Sequence, residues 1–130
     1  MLGFPKNTVV TTDQGNVRIQ DVDSAFHTIN GDAIAAVTET DPIEPRLVCF
    51  AQDCFKPGYP SAATFMTPDH QLFFLGRMTP ASSLVGKVGN VGMLENYNGK
   101  VYNVVMPESR LMLVHKLTVE TGFFYAPSAY

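Results

Sequence analysis

Thr8-Val9-Val10-Thr11-Thr12-Asp13-Gln14-Gly15-Asn16-Val17-Arg18-Ile19-Gln20 is the stretch on which the fold class turns. Two β-branched runs, 8–12 and 17–20, flank a polar tetrapeptide in which Gly15 can supply the positive φ a tight hairpin needs. The same pattern continues along the chain. Residues 34–40 form a further strand candidate, ended by Asp41-Pro42, and 46–50, 63–67 and 71–75 follow between Pro and Gly clusters. Late in the chain come 101–106, 110–115 and 117–121, with Pro107-Glu108-Ser109 read as another hairpin turn. No stretch holds a helical period with caps; the best candidate is 80–84, with Pro80 at the first helical position. Nine or ten short strands in 130 residues predict an all-β sandwich or strongly bent pseudo-barrel.

Composition bounds the function. Hydrophobic residues make up 45 % of the chain and charged residues 16 %, against a usual charged share of about 25 %. That excludes a solvated disordered tail, and 11 % aromatics imply a packed core. The length suits one domain, 1–130, with no internal repeat and no linker long enough to divide it. The net charge is −3 and no run of basic residues exists, so neither a nucleic-acid nor an anionic-membrane footprint is expected. No apolar stretch approaches the ~18–20 residues of a membrane span, and residues 1–10 lack the apolar run of a signal peptide. A soluble monomer is expected, its compartment undetermined.

Cys49 and Cys54 stand five positions apart, and His27, His70 and His115 are scattered. A structural zinc site wants four ligands in tight pairs, so no metal is expected. A disulfide would close a very short loop and contribute little; two thiols packed as small hydrophobes is the simpler reading.

Thr67-Pro68-Asp69-His70 carries the most chemistry. A hydroxyl and an imidazole three apart across a tight turn can point at one locus, the ring exchanging a proton with a peptide group while the hydroxyl orients it. Alone, such a pair is a weak signal, since a turn histidine is more often a plain surface or half-buried residue. Its companions bear on the choice. Gly3-Phe4-Pro5-Lys6-Asn7-Thr8-Val9-Val10, Asp13-Gln14-Gly15, Ile19-Gln20-Asp21-Val22, Asn30-Gly31-Asp32-Ala33-Ile34 and Thr67-Pro68-Asp69-His70-Gln71-Leu72-Phe73 come in order. Tyr102-Asn103-Val104-Val105 through Val114-His115-Lys116-Leu117-Thr118-Val119 closes the series. Taken together, from residue 3 to 122, the chain resembles the Hint domain shared by hedgehog autoprocessing domains, inteins and bacterial intein-like domains.

The resemblance implies a pseudo-twofold β fold with its termini close together. It also implies autoprocessing: a Cys at the first position attacks the carbonyl before it, converting a peptide bond to a thioester, while the Thr-x-x-His pair polarises the amide. Hedgehog domains pass the acyl group to cholesterol. Inteins pass it to a second nucleophile and release the far end by cyclising an Asn preceded by His. Thr67 and His70 would be the catalytic pair, acting on the chain's own flanking segments without a cofactor.

Gly3 stands where the family has its Cys, or, in a second register, Met1 does; neither is a nucleophile. Glu120, Thr121 and Gly122 stand where inteins have His, Asn and the next nucleophile, so full splicing is not expected. Asn103 replaces a frequent Asp, and the 23–29 loop is longer than usual. His115 is expected on a strand face, His27 in solvent, and Phe123-Phe124-Tyr125 in an added edge strand or interface. Two functions compete: autoprocessing by N–S acyl shift and N-terminal cleavage with the nucleophile missing, and a catalytically inert all-β structural or interaction module. A secreted β-module binding a small ligand has no specific residue behind it.

Overall fold

A computed structural model of the chain describes residues 2–123. Its strands are β1 (Val9–Thr12), β2 (Gly15–Arg18), β3 (Thr28–Ile29), β4 (Asp32–Ala33), β5 (Ala36–Thr40), β6 (Leu47–Phe50) and β7 (Thr64–Met66). Then follow β8 (Gln71–Phe74), β9 (Arg77–Pro80), β10 (Val91–Leu94), β11 (Val101–Met106), β12 (Leu111–Val114), β13 (Leu117–Glu120) and β14 (Gly122–Phe123). The all-β class is as the sequence indicated. Among the described residues there are more strands than the nine or ten expected: β3, β4, β9 and β10 have no counterpart in the sequence reading.

Six strands form the largest sheet, in the order β2-β1-β12-β13-β8-β9. Its strands β12 and β13 alternate buried and less buried residues, as a sheet with one wet face must. Val10, Leu72, Met112, Val114, Leu117 and Val119 point inward from it. They meet Val48, Phe50, Met66, Val104 and Met106 from two three-stranded sheets, β10-β6-β7 and β14-β11-β5. β11 is apolar almost throughout because it is covered on both faces.

The first hairpin forms as expected, with Gly15 at φ +117°. Its second strand ends at Arg18, and Ile19–Asp21 turns into a 3₁₀ segment that buries Ile19. The 80–84 helix is corrected to a 3₁₀ turn over Ala81–Leu84; Pro80 precedes it in extended backbone, closing β9. The hairpin expected around 107–109 does not form. β11 pairs with β5 and β14, whereas β12 pairs with β1 and β13, so 107–110 is a crossing between sheets.

Candidate functional site

β7 ends at Met66 and the chain turns at once, the His70 amide donating to the Thr67 carbonyl at 3.0 Å. The 3₁₀ turn braces this bend: the Ala81 amide donates to His70 O and the Ser82 amide to Pro68 O, both at 2.8 Å. Thr67 and His70 are thereby fixed and buried beneath the surface.

The turn holds both ends of the domain. The Gly3 amide donates to the Thr67 hydroxyl at 3.1 Å, and the Thr67 amide donates to the Gly3 carbonyl at 3.0 Å. Three residues on, His70 Nε2 donates to the Glu120 carbonyl at 2.9 Å. A carbonyl only accepts, so the proton sits on Nε2 and Nδ1 carries a lone pair. Nδ1 is buried without a hydrogen-bond partner. Burial is the main cause that pushes the His70 pKa down to about 4, outweighing the Glu120 carbonyl and the Asp69 charge, which favour the cation. The ring is neutral at pH 7.

His70 packs against Phe4, ring centroids 4.5 Å apart, rather than hydrogen-bonding to the Gly3 backbone. Phe4 in turn exchanges two backbone hydrogen bonds with Tyr102 of β11, at 2.8 and 2.7 Å. Gly3 is buried against the same strand: a Cβ built on it would stand 2.8 Å from Tyr102 O and 3.1 Å from Val101 Cβ. The second candidate for the first position, Met1, lies outside the described residues.

At the far end, the Thr121 amide donates to Arg110 O at 2.9 Å, and its hydroxyl accepts from the Arg110 amide at 3.1 Å. Burial raises the Glu120 carboxyl pKa, and Oε1 accepts from the Gln71 amide at 3.3 Å. Gly122 pairs with Val105 across a parallel ladder, and a Cβ there would meet Asn103 Nδ2 at 3.0 Å. Asn103 is buried with Oδ1 unpaired. Residues 3 and 122 thus both lie against β11. Beside Thr67 a cavity of about 260 Å³ opens between Pro68 and Asp69 on one wall and Pro42, Ile43 and Glu44 on the other.

The remaining candidates separate from this site. His115 is not on a strand face: with Lys116 it forms the two-residue turn joining β12 to β13, at φ +46° and +69°. Its Nε2 accepts from the Val9 amide at 3.2 Å and its Nδ1 meets the Thr64 hydroxyl at 2.8 Å, so it ties three strands together. His27 is half-buried, its Nδ1 accepting from the Asp23 amide at 2.8 Å. Cys49 and Cys54 are half-buried free thiols. Phe123 lies in the edge strand β14; Phe124 and Tyr125 lie outside the described residues. Among the described residues no three His, Cys, Asp or Glu side chains gather as a metal site, and no helix is long and apolar enough to cross a membrane. The resemblance directs His70 toward Phe4, as observed; sequence reasoning missed the Glu120 carbonyl as the ring's hydrogen-bond partner, a backbone atom with no residue-type signal.

No family model and no curated protein matches the chain. Solved structures do. A DnaB intein from Synechocystis sp. PCC 6803 superposes with a TM-score of 0.62 at 8 % identity, over 94 % of this chain and 99 % of that one. The Ssp DnaB mini-intein variant M86 gives 0.63 at 8 % identity, over 98 % and 97 %. A splice-inactive variant of the AceL NrdHF class 3 split intein gives 0.58 at 12 % identity, over 95 % and 99 %. Identities this low speak to architecture, and they do so over nearly the full length of both partners: the chain has the Hint fold of the inteins.

Proposed function

We propose that this is a Hint domain of the autoprocessing type, retaining its Thr67–His70 centre and lacking the nucleophile at position 3. The observation that carries the reading is the pair of contacts from one turn: Thr67 Oγ1 on the Gly3 amide and His70 Nε2 on the Glu120 carbonyl. With a Cys at position 3, its sulfur would attack the carbonyl carbon of Leu2. A C–S bond forms, the C–N bond to residue 3 breaks, and the thiol proton ends on the released amine. Thr67 would hold that nitrogen, and neutral His70, with a lone pair at Nδ1, would relay the proton. At the other end Thr121 has no side-chain amide, so cyclisation there is closed and N-terminal cleavage alone remains. The partners on this reading are the polypeptide segments flanking the domain, and no cofactor is needed.

Close packing of Gly3 on Tyr102 favours a second reading, an inert structural module whose chain start has closed onto β11. The test is a Gly3→Cys variant with a short peptide fused before position 3, incubated with a small thiol. Release of the peptide as its thioester supports autoprocessing. A folded variant that releases nothing supports the inert module.

A further inference from the structure

The sequence contains no basic run, yet the fold assembles a basic surface. Of nine Lys and Arg, Arg18, Arg46, Lys100 and Arg110 pair with carboxylates. The other five make no ion pair among the described residues, and four of these, Lys56, Arg77, Lys87 and Lys116, line two adjoining cavities. One, of about 410 Å³, lies between Lys56, Tyr59, Phe73 and Lys116. The other, of about 350 Å³, lies between Arg77, Leu84 and Lys87. The two share Phe74 and Leu75, and no carboxylate lines either. In a chain of net charge −3, four cations without an ion pair among the described residues, gathered around the β8–β9 turn, mark a separate anion-facing surface.

Its centre is apolar. Leu75 sits at the tip of the β8–β9 turn, 85 % exposed and at φ +48°, where a bulky apolar side chain gains nothing from the fold. Phe73, half exposed on the wet face of β8, stands next to it. Tyr59 has Lys56 Nζ 4.5 Å and Lys116 Nζ 5.8 Å from its ring centroid, so its face is taken up by cations and is not free to stack a nucleobase. A peptide would have to cross the Leu75 ridge that divides the two cavities. A ring of cations around a projecting apolar tip matches a layer with anionic headgroups over an apolar interior.

We propose that the β8–β9 tip docks on an anionic lipid bilayer, Leu75 and Phe73 entering the interface while Lys56, Arg77, Lys87 and Lys116 face the headgroups. The surface is separate from the Thr67–His70 centre, and the proposal stands whether or not that centre is catalytic.

The test is co-sedimentation of the full chain with phosphatidylcholine vesicles carrying phosphatidylserine, and with pure phosphatidylcholine vesicles. Binding is expected only to the anionic vesicles and to weaken as salt rises. Lys87→Gln or Lys116→Gln should each lower partitioning about five-fold. Leu75→Asn, which suits the positive φ, should lower it without loss of stability, read by urea unfolding of the same sample. No binding to either vesicle would overturn the proposal, as would equal binding to both, or binding indifferent to these three variants. Binding of a labelled single-stranded oligonucleotide or a poly-glutamate peptide in place of the vesicles, lost in the same variants, would overturn it in favour of that partner.

Discussion

Gly3 approaches β11 so closely that a Cβ on it would stand 2.8 Å from the carbonyl oxygen of Tyr102. Real Cβ atoms do not come that near a backbone oxygen, and Tyr102 O is held in place by the Phe4 amide. Gly3→Ala should therefore cost about 1–3 kcal/mol through overpacking, measured by urea unfolding. Gly3→Cys should cost as much or more. Neutral effects would mean that the strand start is free to shift.

Thr67 supplies the acceptor for the Gly3 amide in a buried setting. Thr67→Val keeps the shape and removes that acceptor, so it should destabilise by about 1–3 kcal/mol. Thr67→Ser keeps the hydroxyl and should recover most of the loss. Equal stability for the Val and Ser variants would show that the hydroxyl bond contributes nothing.

The pH dependence of His70 has a definite sign. Its pKa falls from 6.5 to about 4 on folding, so the unfolded chain binds the extra proton first. Stability should drop as pH falls from 6.5 towards 4, by about 3 kcal/mol from this residue, and flatten below. The neutral ring is fully stabilising above pH 6.5. His70→Gln cannot take up this proton and should show a shallower slope across that window. His115, also pushed down by burial, contributes equally to both proteins and cancels in the difference. Identical slopes would rule out a buried neutral His70.

Leu75 holds a left-handed backbone conformation while almost wholly in solvent. Leu75→Asn should raise stability by about 1 kcal/mol, because Asn tolerates that conformation and no packing is lost. A loss of stability would indicate that the Leu75 side chain is held by a neighbour.

How far the sequence could be read depended on the range of each signal. Gly15 between two β-branched runs is a local cue, and the first hairpin formed around it. Pro107-Glu108-Ser109 is an equally good local cue, but whether flanking strands pair is settled by distant partners: β12 finds β1, just over a hundred residues earlier. The β12–β13 turn carries no Gly or Asn, only His115 and Lys116 at positive φ, so no residue type marks it as a turn and His115 fits a strand pattern. β3, β4 and β14 are two residues long, too short to show a period. Thr67 and His70 were legible as residue types at a turn. Their meeting with Gly3 follows from the resemblance and is observed for Thr67, whereas the Glu120 carbonyl that His70 meets was not legible, being a backbone atom. The basic face was invisible for a similar reason, its four cations being spread from residue 56 to 116.

The most direct measurement is the rate at which a Gly3→Cys chain, carrying a fused peptide before position 3, releases that peptide to a small thiol, with His70 and with His70→Ala. Both proteins must first be shown to be folded by their unfolding transitions. The account predicts release as a thioester, slowed about 10²–10⁴-fold without His70, the range of a positioned acid–base group. The far end should stay attached in both, because Thr121 cannot cyclise. Release equally fast without His70, or none at all from the folded Cys-bearing chain, would contradict it.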